Sequence, residues 1–521
     1  MSELVHDLVF DAARRTPGAA ALAHGAVRLN YAQLAASVAA AAQALLEAGI
    51  GRGERVAVYL EKRVEAVAAM FGAAAAGAVF VPINPLLKPD QVAYILRDCN
   101  VRALLVSPER LRLLEAVLPS CPDLRTVFVT GEQAETGLLR SWDRAPASGN
   151  TPHRVIDADM VAILYTSGST GSPKGVVLSH RNLVAGARSV ANYLALTPQD
   201  RVLAVLPLSF DYGLSQLTTA FCASACVVLI NHLFARDIVK AVADEGITGL
   251  AAVPPLWMQL TQLEWPERCT LRYLTNSGGA MPAATSAALQ SQLPGAQLFL
   301  MYGLTEAFRS TYLPPSELAR RPDSIGRAIP NAEVLVVRPD GSVCDDDEEG
   351  ELVHRGALVA LGYWNDAART AERFRLAPGQ NPALPGREMA VWSGDTVRRD
   401  ADGFLYFVGR SDDMIKVSGY RISPTEIEEV VYAMGLVSEV VAFGVAHPQL
   451  GQAVVLLASA DAESGVSGAD LLKQCQRRLP AYMVPAHVEI AHAPFARNPN
   501  GKLDRQLLRL PYLTLFEGKT P

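Results

Sequence analysis

The chain has 521 residues, half of them hydrophobic and 19% charged, which allows two to four domains with large buried cores. A net charge of −6 argues against a general nucleic-acid binder, which would carry a basic footprint. The seven cysteines are scattered, odd in number and form no C-x-x-C pair, so a reduced, cytosolic protein fits, with Cys222 and Cys226 read as core packing.

The first residues lack a basic segment leading into an apolar one, and no signal peptide is expected. Asn30-Tyr-Ala-Gln33 offers a capping box, and an alanine-rich helix follows to about Ala48. Arg55 to Leu60 reads as a strand. Ala66 to Ile83 carries no charge, yet it divides into a helix-like half and a strand-like half, Ala78 to Pro82, rather than one membrane span. Val101 to Val106 and Thr126 to Thr130 read as further buried strands. Strands alternating with helices predict a layered α/β architecture with largely parallel sheet.

The stretch around which the chain is organised is Tyr165-Thr-Ser-Gly-Ser-Thr-Gly-Ser-Pro-Lys-Gly175. Gly168 and Gly171 let the backbone turn and bring N–H groups close to an anion. The hydroxyls of Thr166, Ser167, Ser169 and Thr170 can donate to phosphate oxygens, and Lys174 adds a point charge suited to a polyphosphate. A Ser/Gly linker is the alternative, but apolar strands flank the loop on both sides, Met160 to Leu164 and Val176 to Leu178. The spacing is not that of a Walker A motif, which needs a helix directly after its lysine.

A helix beginning near Ser179 shows one apolar face through Leu183, Val184, Ala187, Val190, Ala191 and Leu194. Residues 325–408 read as β-rich, with the acidic run Asp345 to Glu349 as a solvated hairpin turn. A boundary near Arg410 to Asp413 separates an N-terminal unit, 1–411, from a small α+β unit, 412–521. In the latter, Ser423-Pro-Thr-Glu426 predicts a helix start with Ser as N-cap and Glu closing a capping box. Strands at 440–446 and 453–459 and a helix at 468–478 complete it.

The loop at 165–175 resembles the phosphate-binding signature of the adenylate-forming ligases: acyl-CoA synthetases, adenylation domains of peptide synthetases, and luciferases. Four further segments match that family in order: Met301-Tyr-Gly-Leu-Thr-Glu306, Ser393-Gly-Asp395, Gly409 to Arg421, and Asn498-Pro-Asn-Gly-Lys-Leu-Asp504. The chain as a whole, including Arg320 to Asn331 and Ala446 to Gln452, is similar to the AMP-forming acyl-CoA ligases associated with exosortase systems. The resemblance implies a large N-terminal domain of layered α/β subdomains plus a β-rich subdomain, with a small mobile α+β C-terminal domain.

By that resemblance Tyr302 lies against adenine, Thr305 bonds the α-phosphate and Glu306 holds Mg²⁺, an ion that needs only one or two carboxylates beside substrate phosphates. Gly278, Gly279, Ala280 and Gly303 join the nucleotide site. Asp395 and Arg410 hold the ribose, Arg421 approaches the phosphates, Asp412 is the hinge and Gly419 lines a pantetheine tunnel. Lys502 bridges carboxylate and α-phosphate as the adenylate forms. The implied reaction uses ATP and Mg²⁺ to make an acyl-adenylate, then a thioester with CoA or a phosphopantetheinyl carrier protein.

The acid pocket is assigned to Phe210, Asp211, Tyr212, Trp257, Asn276, Ser277 and Met301. Many acyl- and aryl-CoA ligases have histidine in the segment matching 207–213. Phe210-Asp211 instead resembles amino-acid adenylation domains, where the aspartate pairs with an α-ammonium. A lone buried carboxylate is costly, so an amine-bearing substrate has physical sense; the alternative is that Asp211 bonds local backbone or caps the next helix. An amino-acid adenylation enzyme loading a stand-alone carrier, an adenylate-only or amide- or ester-forming ligase, and a non-catalytic ATP-binding protein are the rival readings.

Overall fold

The computed structural model describes residues 3–131, 135–143, 149–166, 173–381, 383, 385–410, 414–460, 466–491, 495 and 503–517, with the side chain of Arg410 excepted. Among these residues the strands form three sheets. The first begins with parallel strands in the spatial order Ala20–His24, Cys226–Leu229, Arg201–Ala204, Gly249–Ala252, Tyr273–Asn276 and Gln297–Tyr302. It continues without a break into antiparallel strands, Thr311–Leu313, Ser324–Ala328, Leu405–Arg410, Met389–Arg399, Glu349–Gly356 and Ala332–Val337. The β-rich stretch is thus an extension of the α/β sheet.

The second sheet runs Gly362–Tyr363, Lys174–Ser179, Met160–Thr166, Val79–Pro82, Arg55–Tyr59, Val101–Val106, Thr126–Val129 and Leu139–Ser141. The third comprises Tyr420–Ile422, Ile415–Val417, Gly451–Ser459, Glu439–His447 and His487–Ala491, with its own apolar clusters on both faces. The fold is therefore the expected mixed α/β one, a large N-terminal domain and a small C-terminal domain.

Alanine richness has a packing explanation. The helix Val64–Ala76 is buried nearly all round and lies against Tyr31–Glu47. A side chain at Gly72 would meet Ala41 Cβ at 2.5 Å, so only small residues permit this approach. The long helix starts with the expected capping box from Asn30 and Gln33. Ser179 caps His180–Tyr193 in the same way, with Asn182 reaching back. Among the described residues no helix is long and apolar enough to cross a membrane.

Two local expectations change. Ser423 and Pro424 do open the helix Pro424–Tyr432, but the Ser423 side chain makes no capping bond. The acidic turn is solvated as expected, yet it is also held, because Arg338 pairs with Asp345 and Glu348.

One glycine fixes the turn that leads into the helix Asp211–Cys222. A Cβ on Gly213, in the first turn of Asp211–Cys222, would lie 1.9 Å from the carbonyl oxygen of Pro207. Gly213→Ala is expected to lower stability by about 3 kcal/mol through overpacking, read as a lower urea midpoint at unchanged slope. An unchanged midpoint would mean that the Pro207 turn yields freely.

Candidate active site

A cavity of about 590 Å³ opens where the carboxyl ends of the parallel strands face the third sheet. In open α/β sheets ligands bind outside those ends. The strand Tyr273–Asn276 delivers Asn276 and the loop Ser277 to Ala280; the strand Gln297–Tyr302 delivers Met301, Tyr302 and Gly303. Thr166, Phe210, Asp211, Tyr212, Thr305, Glu306 and Asp395 line it from the large domain, and Gly419 and Arg421 from the small one.

Glu306 is the electrostatic centre. It is 4% exposed and accepts hydrogen bonds from Tyr363 Oη at 2.6 Å and Lys174 Nζ at 3.1 Å. Lys174 also donates to Tyr363 Oη at 2.7 Å and lies over its ring. Burial alone would push the Glu306 carboxyl up, but Lys174 and Arg421 hold it well below the usual carboxylate range. Burial lowers the Lys174 ammonium, with Glu306 pulling against it. The site is thus an anion held between cations in a place largely shielded from water.

Such a carboxylate, kept ionised, fits a hard cation that arrives bound to substrate phosphates. Among the described residues no group of three or more His, Cys, Asp or Glu could hold a metal unaided.

The opposite wall carries a second pair. Tyr302 Oη donates to Asp395 Oδ2. Asp395 stands in backbone register with Arg410 across neighbouring strands. Among the described residues, Thr166 Oγ1 and Asn276 Oδ1 are buried without a hydrogen-bond partner. A ligand group can satisfy such atoms.

Ser167, Gly168, Ser169, Thr170, Gly171, Asp412 and Lys502 lie outside the described residues. The strands Met160–Thr166 and Lys174–Ser179 are antiparallel partners, with Thr166 opposite Lys174. Trp257 is a correction. It is fully buried in the core and donates from Nε1 to Thr275 O at 3.2 Å, away from the cavity lining. The resemblance assigns it to the acid pocket; its helix, Pro254–Leu260, instead turns it into the core.

Asp211 is a second correction. It does not wait for a cation. Arg309 Nη1 lies 3.5 Å from Asp211 Oδ2, with the side chains 1% and 5% exposed. Burial leaves the Asp211 carboxyl raised above its ordinary value, with Arg309 pulling only partly against it. Sequence reasoning missed Arg309, and also Tyr363. The available signal for Arg309 was a lone charge in the run Ala307 to Thr311, three residues beyond Glu306.

The hairpin joining Ile415–Val417 to Tyr420–Ile422 enters the cleft. A Cβ on Gly419 would meet Val253 Cγ1 at 2.6 Å, and Gly419 takes a φ of +85°. Tyr420 stacks on Tyr482 with ring centroids 3.9 Å apart.

The sequence matches the family model described as AMP-binding enzyme over residues 9–364, and the AMP-binding enzyme C-terminal domain over 426–502. It is 32% identical to an L-proline–[L-prolyl-carrier protein] ligase of Pseudomonas fluorescens over 96% of this chain and 98% of that protein. It is 30% identical to tyrocidine synthase 3 of Brevibacillus parabrevis over 98% of this chain, but spans only 8% of that protein's length. A structure of o-succinylbenzoate CoA synthetase from Bacillus subtilis, bound to a product analogue, superposes with a TM-score of 0.83 at 25% identity, covering 96% of this chain and 97% of that one. The chain belongs to the AMP-binding enzymes, within the adenylate-forming ligase superfamily.

Proposed function

We propose that this protein activates a carboxylic acid with ATP and passes the acyl group to a phosphopantetheine thiol, of CoA or of a carrier protein. The observation that carries this reading is the placing of Glu306, Arg421 and the Tyr302–Asp395 pair in one cavity that both domains line, with Lys174 paired to Glu306.

In the first step a carboxylate oxygen attacks the α-phosphorus, the bond to the bridging oxygen breaks, and pyrophosphate leaves. Lys174 and the loop 167–171 hold the departing phosphates. Thr305 donates to the α-phosphate. Tyr302, with the glycines at 278, 279 and 303 and Ala280, encloses the base; Asp395 and Arg410 take the ribose hydroxyls. Bound at Glu306, Mg²⁺ would offset the charge of the phosphates. Lys502 offsets the charge that builds as two anions meet.

In the second step the thiol sulfur attacks the acyl carbon, AMP leaves with the bonding pair, and the thiol proton passes to solvent. Gly419 gives the thiol arm its path, and rotation about Asp412 exchanges the two steps. An amino acid loaded on a separate carrier is the second reading, favoured by the likeness to the L-proline ligase over that protein's whole length.

The test is acid-dependent exchange of labelled pyrophosphate into ATP. Exchange with at least one acid class is expected, and Lys502→Ala is expected to lower it by about 10²–10³-fold while ATP still binds. Unchanged exchange in Lys502→Ala would remove the lysine from the mechanism.

A further inference from the structure

The acid pocket ends in an ion pair whose geometry is built rather than incidental. After the short turn Thr305–Ala307, Phe308 adopts φ +55° and ψ −43°, and Arg309 N–H donates to Ala307 O at 2.6 Å. This is the rare γ-turn, a strained conformation for a residue with a side chain. The turn drives Arg309 inward, while room for Phe308 comes from Gly186, where a Cβ would meet the Phe308 ring at 2.6 Å.

Arg309 is 1% exposed. Its guanidinium lies over the Tyr212 ring at 4.5 Å, faces Asp211, and donates from Nη2 to Ser215 Oγ at 3.1 Å. Its Nε has no acceptor among the described residues. The cavity wall therefore carries one anion and one cation already in contact, with guanidinium N–H groups left over after the bonds to Asp211 and Ser215.

Resting on the ligase reading above, we infer that the Asp211–Arg309 pair selects an acid that is uncharged apart from its reacting carboxylate and that bears a neutral hydrogen-bond acceptor, a hydroxyl or carbonyl oxygen. An α-ammonium gains little from Asp211, because Arg309 already offsets that charge, and it brings an uncompensated positive charge into a buried site. A second carboxylate meets the mirror problem with Asp211. A neutral oxygen can accept from the Arg309 guanidinium, which lines the cavity, without adding charge.

The experiment measures pyrophosphate exchange over matched series, short aliphatic, medium-chain and aryl. Within each series one skeleton carries hydrogen, hydroxyl, oxo, amino or a second carboxylate. The hydroxy or oxo acid is expected to exceed its amino and dicarboxylate counterparts by about tenfold or more in kcat/KM, a discrimination within reach of buried polar groups. An amino acid at or above its hydroxy analogue overturns the inference and leaves the ligase reading intact. Exchange with no acid at all overturns both.

Two variants test the mechanism by preference ratios, which do not depend on the folded fraction. Arg309→Met leaves Asp211 alone and is expected to move the amino-to-hydroxy ratio up by about tenfold. Asp211→Asn is expected to move the dicarboxylate-to-hydroxy ratio up instead. Should either variant fail to fold, the double variant Asp211→Asn with Arg309→Gln keeps this wall neutral and is expected to retain the parent ratios. Ratios unmoved in both single variants overturn the specificity role and leave the pair purely structural.

Discussion

Glu306→Gln is expected to lower acid-dependent pyrophosphate exchange by about 10²–10³-fold, the range seen when one preorganised charge partner is removed from a transition state. Glutamine keeps the shape and can still accept from Tyr363, so the loss reports charge rather than packing. Lys174 and Arg421 then face the phosphates with no anion between them. ATP binding should survive, and added Mg²⁺ should no longer sharpen it. A drop of less than about tenfold would assign the cation to other groups.

The same substitution has a pH signature. In the folded chain the Glu306 carboxyl titrates well below its ordinary value of 4.5. A depressed carboxylate contributes stability that is fully present above the unfolded value and is lost as pH falls toward the folded one. Thermal midpoints of the parent are therefore expected to fall below about pH 4.5, and those of Glu306→Gln to fall less steeply over that window. Parallel curves would show that Lys174 does not hold the carboxylate ionised in solution.

The second large effect is on thioester formation. Gly419→Leu places a branched side chain where even a Cβ would overlap Val253, at a φ of +85° that favours glycine. The hairpin tip must then lift from Val253 and Gly278. A displacement of about 1 Å at a reacting centre costs on the order of 10²-fold, so transfer of a preformed acyl-adenylate to CoA or a carrier should fall by about that much. Pyrophosphate exchange, which needs no thiol, should change little. Equal loss of both reactions would show that this hairpin also serves adenylate formation.

Local signals in the sequence served well where chemistry is local. The capping box at Asn30, the helix start near Ser179, the apolar strands around 160–178 and the helix at 468–478 depend on neighbours a few residues away. Glu306, Tyr302, Asp395 and Arg421 converge on one cavity as their motif order implied. What stayed hidden depends on distant partners. Asp211 meets Arg309 across 98 residues, and Glu306 meets Tyr363 across 57, with no spacing rule linking them. Trp257 shows the converse, since a large amphipathic ring near a site reads equally as wall or core until its helix is oriented.

The strand Ala20–His24 pairs in parallel with Cys226–Leu229, about 200 residues later. At ribosomal speeds of about 5–20 residues per second, that edge waits some tens of seconds for its neighbour to be made. Its hairpin partner, Val27–Asn30, is available at once. A ribbon of two strands is marginal in water, so the nascent chain leaves the apolar centre of Ala20–His24 unpaired on one edge through much of its synthesis. Chaperone demand in this protein should therefore concentrate at the beginning of the chain and end when residue 229 clears the exit tunnel.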